Sequence, residues 1–132
     1  MEKEKITIEY VFDKVSKNSL WNQLSTTGGL AEWFADEVIE DGKIFSFYWD
    51  GYPTEAELLG MNPLIYIRFR WLEEDPDTYF EFRLHKIELT GGLMLEITDF
   101  ADQDEKEQAI TLWNTQINKL KRRLGLKSNN IS

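Results

Sequence analysis

Cysteine is absent from the 132 residues, and histidine occurs once, at His85. Disulfides, thiolate metal centres and cysteine nucleophiles are therefore excluded, and any metal site would have to hold a hard cation on oxygen ligands. Lys and Arg number 15 against 24 Asp and Glu, a formal net charge of −9. Affinity for nucleic acid comes mainly from cations that neutralise phosphates, so this balance argues against such a partner. The one basic cluster, Lys119-Leu120-Lys121-Arg122-Arg123, falls where a helix should end, an end that favours cations. No apolar run approaches the roughly 20 residues of a bilayer-spanning helix, and the opening MEKEKITIEY is charged throughout. These absences point to a soluble cytoplasmic chain with no membrane span, no metal and no cofactor.

What is present is enough for one core. A hydrophobic content of 42% over this length suits a single domain that buries about two-thirds of its unfolded surface. No linker, repeat or low-complexity stretch interrupts it. Residues 1–127 are read as one domain and 128–132 as a frayed tail.

Ile6, Ile8, Tyr10 and Phe12 alternate with polar residues except at Val11, the period of a half-buried strand. Ser16 is placed to cap a helix carrying Leu20, Trp21 and Leu24, and Leu30, Trp33 and Phe34 repeat the helical spacing further on. Thr27-Gly28-Gly29 is expected to separate these two short helices. Turn signals then recur at Asp41-Gly42, Asp50-Gly51, Gly60-Met61-Asn62-Pro63, Asp75-Pro76 and Gly91-Gly92. Five turns imply a six-strand meander.

Pairing Lys43 with Glu40, Trp49 with Thr54, Leu58 with Ile65 and Phe69 with Phe80 tests the alternation across those turns. One face then gathers Phe45, Phe47, Trp49, Ala56, Leu58, Ile65, Ile67, Phe69, Phe80, Phe82 and Leu84. The other gathers Tyr48, Glu55, Glu57, Tyr66, Arg68, Arg70, Tyr79, Glu81, Arg83 and His85, with Glu55, Arg68 and Glu81 side by side as a solvated ladder. The apolar phase slips at His85-Lys86-Ile87, where a β-bulge is expected.

Asp102 with Glu105 three residues on has the form of a capping box, and Ile110, Trp113, Ile117, Leu120 and Leu124 follow at steps of three and four. Gly125 is placed as the C-cap. About twenty residues of helix measure roughly 30 Å, enough to cross and cover the apolar face.

Strand, two short helices, six antiparallel strands and a long helix make an α+β order that, with the sequence, resembles the START-like (SRPBCC, helix-grip) superfamily. The resemblance is nearest its branch related to the activator of Hsp90 ATPase. It rests on "LWNQLSTTGGLAEWFADEV", "KIFSFYWDG" and "LWNTQINKLKRRLG", and covers nearly the whole chain. It implies a curved sheet gripping the C-terminal helix around a cavity that in many relatives holds an apolar or amphipathic small molecule. Matching positions place Trp33, Phe34, Phe45, Phe47, Trp49, Phe69, Phe82 and Trp113 around that cavity. The same rings also suit a plain core, in which large side chains fill the space.

Chemistry has less support than binding. His85 and Ser46 fall on the outer face, and no Gly-x-Ser-x-Gly elbow occurs. Asp99, Asp102, Asp104 and Glu105 lack the spacing of a calcium loop and are better explained by helix capping. Glu57 and Arg68 face outward in this register, and a one-residue slip would bring them inside. Thr98 and Asp99 approach the long helix, where one of them is expected to point into the mouth of the cavity. Three readings follow: a binding module for an apolar or amphipathic small molecule, a protein-interaction module of the chaperone-cofactor kind, and a cyclase-like enzyme requiring an inward acid or base. The chain is expected to be a monomer or a homodimer joined through its sheet edges.

Overall fold

The computed structural model describes residues 3–126, so the expected frayed tail lies outside the described residues. The elements are β1 (Glu4–Phe12), α1 (Lys17–Ser25), α2 (Thr27–Trp33), β2 (Glu37–Asp41), β3 (Ile44–Trp49), β4 (Tyr52–Asn62), β5 (Tyr66–Trp71), β6 (Phe80–Lys86), β7 (Leu93–Ala101), a 3-10 turn (Gln103–Glu105) and α3 (Lys106–Arg123). The strands form one antiparallel sheet in the order β1-β7-β6-β5-β4-β3-β2. It is the six-strand meander expected from the turns, with the N-terminal strand added beside β7. The sheet curves around α3, in the helix-grip arrangement.

Trp21 of α1 and Trp33 of α2 are set on either side of a break made by a single residue. Ser16 Oγ accepts the Ser19 N–H to start α1, as expected. Thr26, not the Thr27-Gly28-Gly29 segment, is the break: its hydroxyl donates to the Asn22 carbonyl and accepts the Gly29 N–H. Thr26 thereby ends α1 and caps α2, and Thr27 to Gly29 form the first turn of α2. Gly29 is required because a Cβ there would lie 2.2 Å from the Asn22 carbonyl oxygen. The Trp33 indole donates to the Gln23 carbonyl at 2.8 Å and locks the elbow.

Three of the expected registers shift while keeping their faces. Glu40 opposes Phe45, Trp49 opposes Tyr52 and Leu58 opposes Phe69, whereas Phe69 pairs with Phe80 as read from the sequence. At the β3–β4 turn the cause is a two-residue loop, with Asp50 at φ 52° and Gly51 at φ 83°, tighter than the loop assumed. The β-bulge lies in β4 between Leu58 and Gly60, not at His85-Lys86-Ile87, where β6 stays in register with β7 through Lys86. Leu58 and Leu59 are both apolar, so alternation could not mark the slip. Past the bulge Met61 and Ile65 are exposed, the latter against expectation.

The outer face is less solvated than the sequence suggests. Glu55 opposes Ser46 and stands apart from Arg68, while Glu57 pairs with Arg70. Arg68 and Arg83 both hold Glu81, which is only 4% exposed, and their guanidinium groups lie over Tyr79 and Tyr66. Burial opposes ionisation of Glu81, but hydrogen bonds from Arg83 and Arg68 outweigh it and hold the carboxyl below its usual range.

On α3, Trp113, Gln116, Ile117, Leu120 and Lys121 are buried. Asp102 and Glu105 do not form a side-chain capping box; a backbone bond from Glu105 N–H to the Asp102 carbonyl makes the 3-10 turn instead. Gly125, at φ 82°, closes the far end, where the Leu126 N–H reaches the Lys121 carbonyl as in a Schellman motif. The basic cluster is partly folded in: Lys121 lies against the Phe12 ring and Arg123 pairs with Glu32 of α2.

Candidate functional site

In a meander, alternate strands run the same way, so β3, β5 and β7 deliver their C-terminal ends to one end of the sheet. Trp49 ends β3, Trp71 ends β5, and Asp99 stands two residues before the end of β7. The inward period Leu93, Leu95, Ile97, Asp99, Ala101 carries the carboxylate onto the apolar face. Opposite them, α3 presents Ala109, Leu112, Trp113 and Gln116, and α2 ends at Phe34.

Phe34 is the hub of the aromatic packing. Its ring stacks on Trp113 at 5.7 Å and meets Phe47 and Trp49 edge-on at 5.2 and 5.5 Å. Its carbonyl accepts both the Trp49 indole and the Gln116 amide, at 3.0 and 3.1 Å, which ties α2, β3 and α3 together. Behind it, Phe45, Phe47, Phe69 and Phe82 are at most 2% exposed and pack ring against ring in the interior. Phe69 stacks on Phe80, and Phe82 meets Trp113 edge-on. Trp33, Phe34, Trp49 and Trp113 instead line two adjoining hollows open to solvent.

The smaller hollow, about 170 Å³, is walled by Phe34, Trp49, Trp71, Trp113 and Asp99. The wider one, about 380 Å³, shares Phe34, Trp49, Leu112 and Gln116 with it and adds Glu32, Asp36, Thr115 and Lys119. Together they make a groove with an apolar, aromatic end and a polar end. Leu112, 59% exposed, forms its lip.

Asp99 is the charged group on the wall of the smaller hollow. Its carboxylate accepts the Trp113 indole N–H and the Phe100 backbone N–H, each at 2.8 Å. Burial pushes the carboxyl above its ordinary pKa despite those two bonds. Lys3 favours the ionised form, but its ammonium is hydrogen-bonded to Glu74, whose charge works the other way.

The sequence placed Trp49 and Trp113 correctly on inward faces, and named Asp99 as one of two residues at the mouth. Thr98 points outward, opposite Glu81. Trp71 and Gln116 were missed. Trp71 continues the inward run Ile67, Phe69, and Gln116 falls three residues after Trp113 on the buried side of α3, so both were marked by spacing. His85 and Ser46 lie on the outer face, His85 beside Glu96. Among the described residues no group of three or more His, Cys, Asp or Glu is placed to hold a metal, and no helix is long and apolar enough to cross a membrane.

No curated protein matches this chain. Solved structures do. BfR322 from Bacteroides fragilis is 41% identical, over 100% of this chain and 98% of its own, with a TM-score of 0.68. The Aha1 dimer from Colwellia psychrerythraea is 18% identical over 92% of this chain and 96% of its own, with a TM-score of 0.76. CalU16 from Micromonospora echinospora is 20% identical over 89% of this chain and 72% of its own, at 0.69. The last two likenesses speak for the fold alone. The model of the START-like superfamily domain matches residues 1–126, through every strand of the sheet and the helix it grips, and the chain belongs to that superfamily.

Proposed function

We propose that this chain is a binding domain for a small amphipathic molecule, held in the groove between the sheet end and α3. One observation supports this reading: the aromatic lining does not stop at the filled interior but continues into an open groove with a partly buried carboxylate at its apolar end. The apolar part of a ligand would lie on Phe34, Trp49, Trp71 and Trp113, and its polar part toward Asp36 and Lys119. Of the expected cavity residues, Trp33, Phe34, Trp49 and Trp113 would form or back this surface, and Phe45, Phe47, Phe69 and Phe82 would support it from behind. A single carboxylate in the aromatic hollow, with the charged groups Glu32, Asp36 and Lys119 lining the adjoining one, serves orientation better than turnover.

Native mass spectrometry of the gently purified protein, followed by solvent extraction, tests this. A stoichiometric small molecule that is lost in Trp49→Ala supports the groove; the same molecule retained at full occupancy in that folded variant places binding elsewhere.

The packing also favours a second reading, a protein-interaction module. Phenylalanine rings pack against one another in the interior, and Leu59, Met61 and Ile65 are exposed at the β4–β5 end. Loss of a captured partner on Met61→Glu, with the groove intact, would favour it.

A further inference from the structure

We propose that the aromatic end of the groove recognises a small organic cation, an alkyl- or arylammonium group, through the Trp49, Trp71 and Trp113 rings and the Asp99 carboxylate. This rests on the groove being a binding site and names the chemistry it selects. Three features point to a cation rather than an anion or a neutral apolar group.

The first is the lining. Ring faces carry negative potential, and a cation near them gains most when it is partly withdrawn from water. Trp49 and Trp71 stand 6.1 Å apart, inclined at 59°, and Phe34 and Trp113, stacked on each other, form another part of the wall. The second is the use of donors. The Trp113 indole is committed to Asp99, and the Trp49 indole and Gln116 amide to the Phe34 carbonyl. Those three donors are turned into the protein framework, while Asp99 keeps acceptor capacity beyond its two bonds.

The third is charge. The charged groups acting on Asp99 from the neighbouring elements are Lys3, ahead of β1, and Glu74, after β5; a hydrogen bond joins them, so Asp99 shares the Lys3 ammonium with a second carboxylate. The α3 and α2 residues lining the hollow with Asp99 are uncharged. The carboxylate is therefore balanced only in part, by an ammonium already shared with Glu74, in surroundings that resist its ionisation. An ammonium group there would offset that cost and hold Asp99 ionised. Size agrees: an apolar cavity of roughly 150 Å³ holds one benzene molecule, and the hollow is about 170 Å³.

The test is a pair of probes of similar shape, benzylammonium and its neutral carbon isostere ethylbenzene, titrated against the full chain and followed by tryptophan fluorescence and the Trp113 indole N–H resonance. The ammonium should bind about tenfold or more tightly than the isostere. Asp99→Asn should bring the ratio of the two affinities down to about one. In the wild type, the preference should fade as pH drops through the Asp99 titration, which keeps the test valid should the variant misfold. Equal or tighter binding of the isostere would overturn the cation proposal and leave the groove reading standing. Failure of both probes to perturb the Trp113 resonance would overturn both.

Discussion

Phe82 touches the rings of Trp33, Phe34, Phe80 and Trp113 and is 0% exposed. Its replacement by Ala leaves a hole the surrounding rings are too stiff to fill, and urea denaturation should show a loss of about 3 kcal/mol or more. The outer face calls for a different kind of test. Arg68→Ala and Arg83→Ala each leave Glu81 one guanidinium, so each should cost about 1 kcal/mol or less at these half-solvated positions. The double variant should lose clearly more than the two combined, because a buried carboxylate is then left unpaired. The two perturbed carboxyls also respond oppositely to acid. Glu81, depressed in the fold, supports stability above its unfolded value near 4.5 and loses it as pH falls through the folded value. Asp99, raised in the fold, supports stability below its unfolded value near 3.8 and loses it as pH rises through the folded value. Asp99→Asn should therefore be at least as stable as the wild type at neutral pH, and the gap should narrow on acidification. A large loss of stability at neutral pH would mean that the ionised carboxylate holds the fold together.

Among the elements, α2 offers the sharpest contrast. Gly28 and Gly29 are adjacent in one helix, yet a Cβ at Gly28 meets nothing within 4 Å, and one at Gly29 would lie 2.2 Å and 2.7 Å from backbone atoms of α1. Gly28→Ala should raise stability by up to about 1 kcal/mol through helix propensity. Gly29→Ala should force α1 and α2 apart and lower the thermal midpoint sharply, which differential scanning calorimetry of the two variants resolves. The elements were legible in the sequence to the extent that one face is apolar and the other is not. Period-two alternation marked the inward residues of β3 and β6, and those of β5 except Trp71, and the stripe marked the buried side of α3 except Gln116. What alternation does not encode is loop length and the choice between consecutive apolar residues. The β2–β3 and β3–β4 registers thus shifted by two, and the bulge at Leu59 stayed hidden between Leu58 and Gly60. Asp99 carried a signal that was read only in part: a carboxylate in an otherwise apolar inward row.

For the whole molecule, the sheet and α3 form one cooperative unit, since Trp113, Ile117 and Leu120 are buried on the aromatic face and Tyr10 and Glu4 of β1 bind Asn114 and Lys106 of α3. A chain ending at Glu105 should show neither a cooperative melt nor dispersed indole resonances. The joining of β1 to β7 carries a further consequence, for synthesis. Each of the other strand pairs unites neighbours in sequence, so those hairpins close as the chain emerges. The partner of Phe12, Leu93, lies 93 − 12 = 81 residues downstream. At about 5–20 residues per second, the ribosome takes roughly 4 to 16 s to supply it. Throughout that interval the row Ile6, Ile8 and Phe12 has no strand to lie against, and the nascent chain presents it to whatever waits at the exit tunnel.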